Sequence, residues 1–109
     1  MKSTLFLSAL CTIGATLLVA SPVLAQDGAT LYQTKTCLAC HGPDGKTPLL
    51  PEYPKVAGQN AAYAIAQMQD IKSGARANGQ SAAMKGIMHM VSDEEIEAIA
   101  KYLEGLPAD

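Results

Sequence analysis

The sequence predicts an all-α domain of three main helices joined by long loops. Three observations carry this: apolar residues recur at helical spacing in separated stretches, no alternating run is long enough for a strand, and Pro and Gly interrupt the chain in between.

Of the 109 residues, the first 25 stand apart from the rest. Lys2 supplies a positive start, Leu5 to Ala20 is almost wholly apolar or small, and Val23-Leu24-Ala25 ends in a small-x-small pattern. Residues 1–25 are therefore expected to be a cleavable signal peptide, cut after Ala25, that delivers residues 26–109 to the periplasm. A retained membrane anchor is the competing reading, because the apolar run approaches the roughly 18 residues of a spanning helix. Pro22 and the cleavage pattern weigh against it. Lipidation at Cys11 is discounted, since Leu10 stands where a small residue is needed and Cys11 falls early in the leader.

Loss of Lys2 with the leader leaves 7 basic against 10 acidic side chains in residues 26–109. A small acidic domain of this kind has no clustered basic face, which excludes nucleic acid as the expected partner. The same residues hold four Tyr and neither Phe nor Trp. A domain this short buries little of its surface and commonly needs an internal staple, and a buried cofactor would supply the missing core.

The first helical segment, Gly28 to about Thr36, is short and weakly amphipathic through Ala29, Leu31 and Tyr32, and leads straight into Cys37. From Gly42 to Gln59 the chain is expected to be loop, because Pro43, Pro48, Pro51 and Pro54 and three glycines stop any regular element. A loop of that length needs something to wrap around. The second helix runs from Asn60 to about Lys72, with Ala61, Ala64, Ile65, Met68 and Ile71 on one face, Asn60 as N-cap and Gly74 as stop. Met68 reads as core on that stripe. Gly74 to Val91 is expected to be a second loop, carrying Met84, Met88, His89 and Met90. The third helix is announced by Ser92 followed by Asp93, Glu94 and Glu95, a capping box with acids at the positive helix end. Ile96, Ile99, Ala100 and Leu103 continue it until Gly105 and Pro107.

Cys37-Leu38-Ala39-Cys40-His41 is the C-x-x-C-H pattern of c-type haem attachment. Two thiols add across the haem vinyl groups to form thioethers, and the histidine immediately after them can ligate the iron. Zinc, a thioredoxin-like dithiol and a plain disulfide compete for the same pattern. Zinc would want four ligands, while residues 26–109 hold two Cys and two His, and His89 lies far along the chain. A thioredoxin-like centre would sit beside βαβ elements, and a disulfide leaves His41 without a role.

Around these residues the chain resembles the class I cytochrome c family, both its small periplasmic mono-haem members and one domain of bacterial di-haem cytochromes c. The likeness rests on C-L-A-C-H-G-P-D-G at 37–45, Y-P-K-V-A-G-Q at 53–59, Tyr63, Q-M-Q-D-I-K-S-G at 67–74, and the Met-containing loop before Ser92. The resemblance implies a class I cytochrome c fold, three main helices and long loops around one covalent haem c, with the first and last helices crossing. It implies His41 as proximal ligand and a distal Met, which the family pattern Met-x-Gly-x sets on Met84. Met88 and Met90 are its rivals, and a bis-histidine site would use His89. It further implies that the Pro54 carbonyl accepts from His41 and that Tyr53 packs beside the haem.

The expected function is one-electron transfer by an exported mono-haem protein that is not an enzyme. Its expected partners are redox protein donors and acceptors, with no membrane anchor after cleavage, and its expected state is monomeric. The alternatives are a haem-bearing subunit of a periplasmic oxidoreductase complex, and a haem enzyme or gas sensor with an open sixth position.

Overall fold

The structure, a computed structural model, describes Ala9, residues 11–17 and residues 26–109. Most of the expected leader, including Lys2 and the Val23-Leu24-Ala25 pattern, lies outside the described residues. Among the described residues there is no strand, and no helix is long and apolar enough to cross a membrane.

Among the described residues five helices follow one another: α1 (Gly28–Thr34), α2 (Cys37–His41), α3 (Ala61–Ser73), α4 (Ser81–Met88) and α5 (Asp93–Glu104). Asp27 starts α1 by accepting a hydrogen bond from the Thr30 N–H at 2.7 Å. The expected first segment stops short of Thr36. Thr36 takes a left-handed conformation (φ +63°), which a β-branched residue rarely adopts, and the chain changes direction there before α2 begins.

Helix α3 matches the second predicted helix. The Asn60 side chain accepts from the Tyr63 N–H at 3.0 Å, and Gly74 ends the helix in the left-handed region. Helix α4 is a correction, because residues 74–91 were expected to be loop throughout. It has no side-chain N-cap and contains Gly86, so it lacks the usual start signal and carries a weak former. Burial of Met88 against the core stabilises it instead. Helix α5 carries the full capping box: Ser92 Oγ accepts from Glu95 N–H at 3.1 Å, and Glu95 Oε1 accepts from Ser92 N–H at 2.9 Å.

The core sits where α1, α3 and α5 meet. Leu31 and Tyr32 come from α1, Ala64, Met68 and Ile71 from α3, and Ile96, Ile99, Ala100 and Leu103 from α5, with Met88 and Val91 closing it. Tyr32 and Tyr102 pack with ring centroids 5.6 Å apart and planes tilted by 54°. Helices α1 and α5 cross at Gly28, where a Cβ would lie 2.2 Å from the Ala98 carbonyl oxygen and 2.5 Å from the Tyr102 Cβ. Only a residue without a side chain lets the two helices approach so closely.

Candidate haem-binding site

Helix α2 is barely more than one turn, yet it sets the geometry of the site. Positions 37, 40 and 41 stand at i, i+3 and i+4, so helical winding brings Cys37, Cys40 and His41 onto one face. Gly42 then ends the helix at φ +85°, with its N–H donating to the Leu38 carbonyl at 3.0 Å. A side chain at Gly42 would strike the Thr47 carbonyl oxygen at 2.2 Å, because the 42–49 turn folds back tightly. That turn is organised by Asp44, whose carboxylate accepts from the N–H groups of Lys46 and Thr47 and from the Thr47 hydroxyl. The Lys46 N–H, the Thr47 hydroxyl and the Thr47 N–H together hold the Asp44 carboxyl below the usual carboxylate range.

The long loop returns across the histidine. Gly45 accepts from the N–H groups of Val56 and Ala57 at 2.8 and 3.0 Å, and the Tyr53 N–H donates to Leu50 at 3.0 Å. These bonds hold Tyr53 and Pro54 beside His41. His41, 9% exposed, donates from Nδ1 to the Pro54 carbonyl oxygen at 2.9 Å. A carbonyl can only accept, so the proton belongs on Nδ1 and the Nε2 lone pair is left for another partner.

Cys37, Cys40, His41, Tyr53, Pro54, Met84 and Met88 all line one cavity of about 420 Å³. Its other walls come mainly from apolar residues of α3, α4 and α5, among them Met68, Ile71, Ile87 and Leu103. That volume falls in the range of about 300–1,000 Å³ common for ligand sites. Met90 is 57% exposed and does not line the cavity, and His89 is likewise exposed and outside it. Met68, expected as core, is buried and also forms part of the wall.

Burial, with a smaller contribution from Cys40, pushes the Cys37 thiol up to about 11. Among the described residues no three His, Cys, Asp or Glu side chains gather into a metal-holding group. The donor set fits haem c instead: two thiols one helical turn apart, an imidazole beside them with its tautomer fixed, and a large cavity with mainly apolar walls. One further link was not foreseen in the sequence. The buried Tyr32 hydroxyl donates to the Gly42 carbonyl at 2.6 Å, tying α1 to the end of the haem-binding helix.

A short helix with this face, opening on a cavity wrapped by the remaining helices, defines a c-type haem protein. Residues 25–107 match the cytochrome c family, and the chain belongs to it. It is 36% identical over 103 residues to cytochrome c4 of Azotobacter vinelandii, a match covering 87% of this chain and 47% of that one. It is 32% identical over 106 residues to cytochrome c-553 of Nitratidesulfovibrio vulgaris, covering 97% of this chain and 100% of that one. The crystal structure of reduced recombinant cytochrome c4 from Pseudomonas stutzeri superposes with a TM-score of 0.67 at 35% identity, covering 80% of this chain and 50% of the other. The fold is that of a class I cytochrome c. The chain thus spans about half the length of the cytochrome c4 proteins it matches. Membership in the cytochrome c family implies a covalently bound haem c.

Proposed function

We propose that residues 26–109 form an exported carrier of single electrons, holding one haem c through thioethers from Cys37 and Cys40, with His41 and Met84 as the axial ligands of its iron. The observation that carries this reading is the shared cavity: all four side chains line it, and the bond from His41 to Pro54 reserves Nε2 for the metal. The haem, when bound, supplies a one-electron iron couple. The chain's own residues tune and enclose that couple. Pro54 fixes the orientation of the imidazole, Tyr53 forms part of the wall, and the Met84 thioether favours ferrous iron and so raises the potential relative to a second imidazole.

Met84 is preferred to Met88 because Met84 is only partly buried on the cavity wall, whereas Met88 is 3% exposed and fills the core. With His41 and Met84 both holding the iron, the bound haem would exchange electrons without a catalytic group from the chain. Residues 1–25 are the leader removed on export, and the domain works in the periplasm as a monomer between redox protein donors and acceptors.

A second reading, a haem-bearing subunit of a periplasmic oxidoreductase complex, draws on the half-length match to cytochrome c4. Sizing of native material separates the two, since a carrier runs as a small monomer and a subunit recovers with a larger partner. The ligand set is tested by optical spectra of oxidised and reduced protein. Met84→Leu is expected to lose the weak far-red sulfur-to-iron band and the low-spin spectrum, while Met88→Leu keeps both. The reverse result assigns Met88, and retention in both variants removes each of them as ligand.

A further inference from the structure

Met84 stands on a helix whose backbone is supported on one side only. Among the described helices, α4 comes close to α3 alone, whereas α1 and α3 both lie against α5. It has no side-chain N-cap either. Its far end is extended by a turn, in which the Met90 and Val91 N–H groups donate to the Ile87 and Met88 carbonyls at 3.0 and 3.1 Å. Residues 81–91 therefore move together or not at all.

The last carbonyls of such an element have no partner within it, and here two lysines from different helices reach them. From the end of α1, the half-buried Lys35 donates from Nζ to the Met90 carbonyl at 2.8 Å. From the last turn of α3, the half-buried Lys72 donates from Nζ to the Val91 carbonyl at 2.5 Å. Each ammonium is steadied by a carboxylate at the start of α5, with Glu95 3.4 Å from Lys35 and Asp93 3.6 Å from Lys72. Two cations also suit the negative end of the α4 dipole. The lysines thus join the end of α4 to α1 and α5, whose backbones it does not approach.

We propose that Lys35 and Lys72 are positioning residues for the sixth ligand: gripping consecutive carbonyls, they latch the C-terminal end of α4 and so keep the Met84 thioether on the iron. The inference rests on the Met84 reading above and adds to it what holds that bond closed. A thioether carries no charge and Met84 is only partly buried, so its place depends on the helix that carries it. With a lysine removed, α4 leaves its closed position more often. An external imidazole can then replace the thioether, a ring nitrogen lone pair forming the bond to iron as the bond to sulfur breaks, with no change of oxidation state.

The test mixes ferric holoprotein with imidazole and follows the loss of the far-red sulfur-to-iron band by stopped flow. At saturating imidazole the rate reports opening of the iron–sulfur bond. Lys35→Met and Lys72→Met keep the apolar stem and remove the donor, and each is expected to raise that rate about fivefold, the worth of one hydrogen bond. Amide hydrogen exchange should quicken over residues 84–91 in the same variants, while the amides of α5 stay protected. Asp27→Ala, which removes the α1 N-cap, lowers overall stability and is expected to leave the rate unchanged. Unchanged rates and exchange in both lysine variants, or an equal rise in Asp27→Ala, overturn the proposal. Should one lysine variant fail to mature, the other decides alone. The ligand reading is tested apart from the latch. Wild-type protein without the sulfur-to-iron band, or a band that survives Met84→Leu, defeats that reading and the latch with it, whereas a band that needs Met84 but opens no faster in the lysine variants defeats the latch alone.

Discussion

Tyr32 shows how one residue couples the core to the site. Its ring is buried at 1% exposure, and its hydroxyl donates to Gly42, the residue that ends the Cys-Cys-His helix. Burial, reinforced by the nearby Cys37, Tyr102 and Asp44, pushes the phenol well above its ordinary value of about 10. The folded protein therefore holds this proton more tightly than the unfolded chain does. The associated stability is complete below about pH 10 and falls as pH rises beyond it. Tyr32→Phe is expected to flatten the alkaline fall in stability, measured by denaturant unfolding of the holoprotein from neutral pH upward. It should also cost about 1 kcal/mol at neutral pH through the lost hydrogen bond. At the iron, Met84→His is expected to keep haem attached and lower the reduction potential, since imidazole favours ferrous iron less than a thioether does. A potential equal to wild type in a titration of that variant removes Met84 from the ligand set.

Among the elements, α5 was the most legible because its signals are local. Ser92, Glu95 and the apolar spacing lie within a few residues of one another, and all appear in the structure as a reciprocal cap and a buried stripe. Ser92→Ala is expected to cost about 0.5–2 kcal/mol in thermal or denaturant unfolding. The bond from the Ser92 N–H, helped by the nearby Lys35, holds the Glu95 carboxyl below its ordinary range. That contribution is present above about pH 4.3, the ordinary glutamate value, and is lost as pH falls below it. Helix α4 was hidden because its stability comes from burying Met88, a contact between segments that local propensity does not encode. The crossing of α1 and α5 was implied by family likeness alone, and the reason for it at Gly28 is a matter of close approach. Gly28→Ala should force the helices apart and destabilise the holoprotein by about 1–3 kcal/mol, read from the unfolding midpoint.

For the whole molecule, the cofactor takes the place of a larger aromatic core. Cys37→Ala and Cys40→Ala are each expected to impair covalent attachment and the yield of folded protein, checked by haem staining after denaturing electrophoresis. Wild-type staining in both variants defeats the two-thioether reading. Intact mass of exported protein should show the loss of residues 1–25 together with the gain of one haem. By itself the sequence determined the helical class, the C-x-x-C-H spacing, the caps of α3 and α5 and the breaks at Pro and Gly, because each depends on residues a few positions apart. Tertiary structure alone decided which side chains share the cavity. The Pro54 carbonyl reaches His41 across 13 residues, Met84 lines the wall while Met90 faces solvent, and Arg76 returns from beyond α3 to line the same space. Such meetings follow from how the long loops close over packed helices, and loop closure is set by contacts distant in sequence rather than by the local preferences of the residues that meet.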